Sequence, residues 1–428
     1  MKLQDIILNF FEKTKTGCLR LTLPDGTTRT YGGVFDCEPA ELHVKDPAFF
    51  RRIALRGDIG LGESYLRGEW DSPNPADLLS WFLKNRDVLM SDRFDWAMPW
   101  LSRIASLQER FLHRRNANTK TGSQKNIEAH YDLGNDFYSL FLDPSMTYSS
   151  AFFRKEDDSL TEAQIEKYDR ICRKLCITKS DTILEIGCGW AGFAVYAART
   201  YGCSVTGITL SPSQHDYALE RVKQEELEHL VQIKQIDYRD MTGQFDKVVS
   251  IEMIEAVGHE NLPAYFSCID RLLKKDGLSC IQIIMTADHR YQKYRRESDF
   301  IRKFIFPGSH LPSISSVFEA KGSADLNLYH FETFGLHYAS TLELWRDRFE
   351  QNWKDIAKLG FDETFHRKWR LYFDYCIAGF RERHINLGQI VLGRLNSQSY
   401  DFELSTDREP AAKFEYKEPS NQLQSLLA

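Results

Sequence analysis

The segment LEIGCGWAGF sets Glu185, Gly187, Gly189 and Gly192 at the spacing of a strand that turns directly into a helix. Without side chains at Gly187 and Gly189, backbone N–H groups can come close to a bound group, and the helix N-terminus that follows favours a carboxylate. Many Rossmann-like folds bind cofactors this way, although a purely structural strand-to-helix turn has the same form. Two further segments narrow the reading. DYRD, from Asp237 to Asp240, offers a carboxylate that can accept a hydrogen bond from an adenine amino group. ITLSPSQ supplies Thr209, Ser211 and Gln214 but no acidic residue to hold a ribose, which points away from NAD.

These segments can meet only if regular elements carry them. TILEIG, CSVTGITL, VQIKQID, DKVVSIE and LSCIQIIM are short apolar runs, separated by helices from Ala191, from Ser213 and from about Asn261. The pattern predicts an α/β, Rossmann-like domain: a largely parallel sheet covered on both faces, with ligands at the carboxyl ends of its strands. Ser159 and Glu162 form a capping-box pair, and Ile165, Tyr168, Cys172 and Leu175 line one face of the helix that follows. Upstream, Leu3, Ile6, Ile7, Phe10 and Phe11 mark the buried face of a first helix, with a membrane-surface helix as the alternative. CLRLTLPDG and TTRTYGGVF then read as a β-hairpin, followed by helical runs through Trp81, Leu83, Met90, Trp96 and Trp100. The polar stretch RRNANTKTGSQKN marks a boundary. The expected organisation is a small α+β domain over 1–115, a linker over 116–126, the Rossmann-like domain over 127–404 and a poorly ordered tail over 405–428.

Bulk properties exclude little. At 428 residues two domains are expected, and 42% hydrophobic with 27% charged residues rules out disorder throughout. A formal charge of −6 gives no global basic field for nucleic acid or anionic lipid. The nine cysteines are scattered with no Cys-x-x-Cys pair and no nearby His, so no metal set is expected and the thiols read as reduced, in cytoplasm. Asp5 and Glu12 interrupt the N-terminal apolar stretch, so it reads as neither a secretory signal nor a span, and nothing later is apolar for long enough.

In order along the chain, HYDLGNDFYSLFLDPSMTYSSAFF, LEIGCGWAGF, ITLSPSQ, DYRD, SIEMIEAVGHEN and FIFPGSHLPS resemble the cyclopropane fatty acid synthases and the related mycolic-acid and methylene-fatty-acid methyltransferases. The resemblance covers essentially the whole chain. GDIGLGESYLRGEW, from Gly57 to Trp70, is similar to the small N-terminal domain of the phospholipid-acting members. The resemblance implies a class I methyltransferase fold with an acyl-binding insertion near 286–340, and S-adenosylmethionine as donor. It implies that Tyr148 and Ser149 contact the methionine part of that donor, Gly187 and Gly189 its backbone, Thr209, Leu210 and Gln214 the ribose and adenine region, and Asp237 with Tyr238 the adenine. It also implies a bicarbonate ion as base, held by Ser150, Glu255, Gln282, the Ile284 backbone and Tyr338. Where the cyclopropane enzymes carry Cys and His, this sequence has Ser150 and Gln282; both can still donate to an anion.

The implied chemistry is demanding. An isolated alkene is a weak nucleophile, so it must be held in line with the sulfonium methyl and the resulting cation kept from water. Aromatic faces suit that lining, and Tyr138, Phe152, Phe153, Phe304, Phe306 and Tyr338 are candidates. Loss of a proton from the new methyl closes a cyclopropane; loss from a chain carbon gives a methyl-branched or methylene product. The expected substrate is the unsaturated acyl chain of a membrane phospholipid, reached by peripheral contact at the inner face of the membrane, with a homodimer allowed and no nucleic acid partner. HRYQKYRRESDFIRKFIF, carrying Arg290, Lys293, Arg295, Arg296, Arg302 and Lys303, suits a lid on headgroups, while a solvated helix has the same composition. Two readings compete: a small-molecule methyltransferase, which leaves the N-terminal domain unexplained, and a catalytically silent lipid-binding relative.

Overall fold

The computed structural model describes residues 3–33, 38–89, 133–322, 324–395, 397–401, 414–417 and 419–426. The chain divides into two compact units, one built from Met1–Asn116, Gln292–Pro307 and Trp353–Ile385, the other from Ala117–Tyr291, Gly308–Asn352 and Asn386–Ala428. The units therefore interleave along the sequence, where a single boundary was expected. The segment expected as one insertion, 286–340, is shared between them. Met90, Trp96, Trp100 and the expected linker 116–126 lie outside the described residues.

The first unit contains a four-stranded sheet of order β2-β1-β3-β4, with β1 over Cys18–Thr22, β2 over Thr28–Gly32, β3 over Ala40–Val44 and β4 over Trp70–Asp71. β1 and β2 form the expected antiparallel hairpin across the Pro-Asp-Gly turn. Leu19 and Leu21 are buried while Arg20 between them is exposed, the alternation of a half-buried strand. The helix Leu3–Phe11 buries Ile7, Leu8 and Phe11 against this unit's core, as the core reading of that stripe requires. The helix Ala48–Leu66 is broken at Gly57, whose φ of 53° suits glycine. A Cβ at Gly62 would come within 2.2 Å of the Phe300 ring, so Gly62 makes room for the helix Phe300–Phe304.

The second unit is built on a seven-stranded sheet of order β10-β11-β9-β8-β5-β6-β7. The strands are β5 over Thr182–Ile186, β6 over Ser204–Thr209, β7 over Val231–Gln235, β8 over Phe245–Ile251, β9 over Leu273–Thr286, β10 over Asn327–Thr333 and β11 over Ile385–Gly393. The pairs β5/β6, β5/β8, β6/β7 and β8/β9 are parallel, and β10/β11 is antiparallel. One face is covered by the helices Leu160–Lys174, Gly192–Tyr201 and Pro212–Gln224, the other by Leu262–Leu272 and Ile314–Lys321. The capping box at Ser159 and Glu162 is present. Residues from the segment expected to be a tail pack on this unit: Phe414 lies against the Tyr196 ring, Tyr416 donates to the Gly192 carbonyl and Leu423 is buried.

Beneath the sheet, Arg173 pairs with Glu166 and Asp169, and the Tyr196 and Tyr201 hydroxyls donate to Asp169 at 2.9 and 2.7 Å. Removing one member of such a buried set leaves an uncompensated charge. Asp169→Ala is expected to lower the unfolding free energy by about 3–5 kcal/mol in a urea titration; a change within about 0.5 kcal/mol would show the network to be dispensable.

Candidate active site

The carboxyl ends of β5, β6 and β8 bring the first group of expected residues to one edge of the sheet. Glu185 lies buried one residue before the end of β5, and its Oε2 has no hydrogen-bond partner among the described residues. Burial holds its carboxyl well above the ordinary range, with Lys167 pulling the other way. Gly189 has φ 51°, and among the described residues a Cβ built there meets nothing within 4 Å. Among the described residues the turn thus has open space in front of it and a buried acceptor behind. A Cβ at Gly187 would instead strike Met253 at 2.9 Å.

From β6, Thr209 hydrogen-bonds Gln214 at 2.9 Å, and Ser211 caps the helix Pro212–Gln224. Leu210 lies between them. After β7, the Asp237 carboxylate accepts from the Arg239 backbone and guanidinium, at 2.6 to 2.9 Å. The carboxylate expected to meet adenine is thus already oriented by an arginine. Tyr238 packs edge-on against Tyr265. Ser149 accepts from the buried Lys167 ammonium at 2.9 Å through its hydroxyl and from Gln164 through its carbonyl.

A second group gathers where β8 and β9 end, around a residue that the sequence reading did not single out. Glu252 follows β8 with φ 50°, a left-handed conformation that a side-chain-bearing residue adopts at a cost. Its Oε1 accepts from the Ser150 N–H at 2.9 Å and from Gln282 Nε2 at 2.7 Å, and the Tyr338 hydroxyl also hydrogen-bonds the carboxylate. Its own N–H donates to the Gln282 carbonyl. The Ser150 hydroxyl turns away to the Ala151 carbonyl. Glu255 Oε1 accepts from the Ile284 N–H at 2.6 Å, while its buried Oε2 has no partner among the described residues. Burial, and then the charge of Glu252, push Glu255 up to about 8. Glu252 is also raised by burial, but Tyr338, Gln282, Ser150 and Lys167 all favour its charged form. Of the two neighbouring carboxyls, Glu252 is thus the one whose charged form the hydrogen bonds favour, while Glu255 is pushed toward its neutral form.

The orientation of Gln282 is fixed from behind. Lys174 can only donate, and its ammonium meets Gln389 Oε1 at 2.5 Å. Gln389 must then present its NH2, which donates to Gln282 Oε1 at 2.9 Å, and Gln282 in turn must present its NH2 to Glu252.

Aromatic rings crowd the same unit. Tyr148 lies 5.2 Å from Trp345 and 5.3 Å from Tyr138, which also meets Trp190; Tyr338 meets Trp345 edge-on. Phe152 stacks on His337 at 4.3 Å with Arg170 over its ring, and Phe153 lies beyond the same imidazole. Phe304 and Phe306 belong to the first unit, against Phe300 and Tyr372.

Residues 118–390 match the mycolic acid cyclopropane synthetase family. The chain belongs to this family. It is 37% identical over 385 residues to the tuberculostearic acid methyltransferase UfaA1 of Mycobacterium tuberculosis, covering 88% of each chain. With the cyclopropane-fatty-acyl-phospholipid synthase of Escherichia coli it shares 36% over 357 residues, 83% of this chain and 88% of the relative. The solved structure of mycolic acid cyclopropane synthase CmaA1, complexed with SAH and CTAB, superposes with a TM-score of 0.59 at 32% identity, covering 63% of this chain and 98% of that one. This cyclopropane synthetase family member is thus an S-adenosylmethionine-dependent methyltransferase of the class I fold, with an added N-terminal α+β region.

Two measurements check the geometry. Because a methyl at Gly189 would enter open space, Gly189→Ala is expected to fold but to bind S-adenosylhomocysteine at least about tenfold more weakly by calorimetry; unchanged affinity would place the ligand elsewhere. Glu255 holds its proton more tightly folded than unfolded, so stability is highest below its ordinary value near 4.5 and falls as pH rises to about 8. Melting curves of Glu255→Gln should therefore be flatter across that window than those of the parent, and parallel curves would contradict the raised value.

Proposed function

We propose that this protein adds the methyl carbon of S-adenosylmethionine to the double bond of an unsaturated fatty acyl chain in a membrane phospholipid, and closes a cyclopropane ring. The observation that carries the substrate class is the reach of the similarity: the fatty-acyl relatives cover 88% and 83% of this chain, whereas the CmaA1 structure covers 63%.

The bound donor supplies an electrophilic methyl on a sulfonium. In this reading the backbone at Gly187 and Gly189 faces it, and the unpaired Glu185 oxygen accepts from its ammonium. Tyr148 and Ser149 border its methionine part. Thr209, Leu210 and Gln214 flank the ribose, while Asp237, held by Arg239, and Tyr238 receive the adenine. The rings of Tyr148, Trp345 and Tyr338 exclude water and present negative faces to the carbon cation that follows methyl transfer.

Bicarbonate, the base that the family resemblance implies, does not fit the residues as they stand. The Ser150 N–H, Gln282 Nε2 and the Tyr338 hydroxyl already donate to Glu252, and the Ile284 N–H to Glu255. A further anion would face two carboxyl groups without a free donor from this set. No step is routed through it.

Among the described residues no helix is long and apolar enough to cross a membrane, and the proposed route to phospholipid is peripheral contact at the inner face. Arg290, Lys293, Arg295, Arg296, Arg302 and Lys303 are the bases proposed to meet headgroups; Lys303 pairs with Glu63, Lys293 with Glu297, and Arg302 binds the Tyr294 and Glu297 carbonyls. A second reading, a methyl- or methylene-branched product, is favoured by the similarity to a tuberculostearic acid methyltransferase and by Ser150 and Gln282.

Incubation with methyl-labelled S-adenosylmethionine and vesicles of dioleoyl phospholipid, with the fatty acids identified by mass, tests the proposal. Label is expected in an acyl chain longer by one CH2 unit; label confined to water-soluble products would contradict it, and a methyl-branched chain would favour the second reading.

A further inference from the structure

We propose that the Glu252 carboxylate occupies the anion seat of this site and is itself the proton acceptor of the reaction; the catalytic half of this inference rests on the function proposed above. Three independent features converge on that residue. Its charge is held by three donors from three separate elements: the Ser150 N–H, the Gln282 amide and the Tyr338 hydroxyl. Its backbone is held at φ 50°, a conformation that costs about 1–3 kcal/mol and persists where surrounding structure enforces it, here through the hydrogen bond to the Gln282 carbonyl. The relay from Lys174 through Gln389 leaves Gln282 only one orientation, the one that donates to Glu252. A glutamine in that relay suits a fixed carboxylate, since it supplies a donor with no charge of its own.

The side chain is also placed to act. The residue as a whole keeps partial exposure, whereas Glu255 is buried. Glu255 and Lys167 are the titratable groups set against it, together with Tyr338. Burial brings Lys167 down to about 7, opposed by the charges of Glu252, Asp143 and Glu185, so the lysine remains partly charged near neutral pH and favours an ionised Glu252. Glu255 keeps the proton and serves as a positioning residue through the Ile284 N–H.

The step balances without an outside reactant. Once the methyl carbon has bonded to one alkene carbon and the neutral thioether has departed, the other alkene carbon is positive. A C–H bond of the new methyl breaks, and its electron pair forms the ring bond to that carbon. The proton goes to a Glu252 oxygen, and the resulting carboxylic acid returns it to water between turnovers.

The test has a binding arm and a turnover arm, both on the full chain. In the first, 13C-bicarbonate is titrated against the protein loaded with S-adenosylhomocysteine and followed by NMR. The parent is expected to leave the bicarbonate signal unbroadened, while Glu252→Ala, which empties the seat, broadens it; a parent that binds bicarbonate overturns the inference. In the second, cyclopropane formation on dioleoyl vesicles is measured in CO2-free buffer with and without added bicarbonate. The parent should change by less than about twofold. Glu252→Gln should lose at least about 100-fold in ring closure, the scale of a general base, with S-adenosylhomocysteine affinity retained. Formate should restore part of the activity of Glu252→Ala. Parent activity that collapses without bicarbonate, or a Glu252→Gln variant as fast as the parent, overturns the inference. If the parent transfers no label to lipid at all, the function reading and the base role fall together, and the binding arm still decides what fills the seat.

Discussion

A carboxyl group held by three donors at the carboxyl edge of a buried sheet organises this site. A carboxylate stripped of water is costly unless hydrogen bonds replace what it has lost. Glu252 receives those bonds from the loop before the helix Leu160–Lys174, from β9 and from the helix Gly335–Gln351, so elements distant in sequence are tied to one pair of oxygens. Burial with a single donor, and the charge of Glu252 beside it, push the nearby Glu255 toward its neutral form. In the proposed arrangement, charge on one carboxyl and a proton on the other give the site its proton acceptor.

The same economy extends outward. Gln389 and Lys174 stand behind Gln282 and decide which way it points. Lys174 is itself held by Glu332 on β10, with Arg170 on the same carboxylate. The antiparallel β10/β11 pair thus does more than complete the sheet: it carries the polar groups that orient the site from behind. On the other side, the open space before Gly189 and the unpaired oxygen of Glu185 leave room for a polar ligand at the ends of β5 and β6.

Much of this was legible in the sequence because it follows from local rules. The parallel strands β5 to β9 are apolar runs bounded by turns, the Ser159 capping box is a four-residue pattern, and the Pro-Asp-Gly turn forces a hairpin. What was missed depends on tertiary partners. β11 contains Asn386, Gly388 and Gln389, which break the apolar run that would mark a buried strand, and Gln389 is polar because Gln282 lies beside it. Residues 292–307 and 353–385 join the first unit through packing of the kind seen between Gly62 and Phe300, which no local pattern encodes. The aromatic residues Phe414 and Tyr416 sit in a polar segment whose composition hides their docking. Glu252 was overlooked for a different reason: SIEMIEAVGHEN carries two glutamates three residues apart, and the family resemblance drew the role to Glu255 alone. The signal was present in the doubled acid at the end of a buried strand.

The measurement closest to the central claim is the infrared carboxyl spectrum of the protein at neutral pH, compared among the parent, Glu252→Gln and Glu255→Gln. The account requires that a protonated-carboxyl band vanish in Glu255→Gln and that an ionised-carboxylate band vanish in Glu252→Gln. The reverse assignment, with the proton on Glu252, would contradict it.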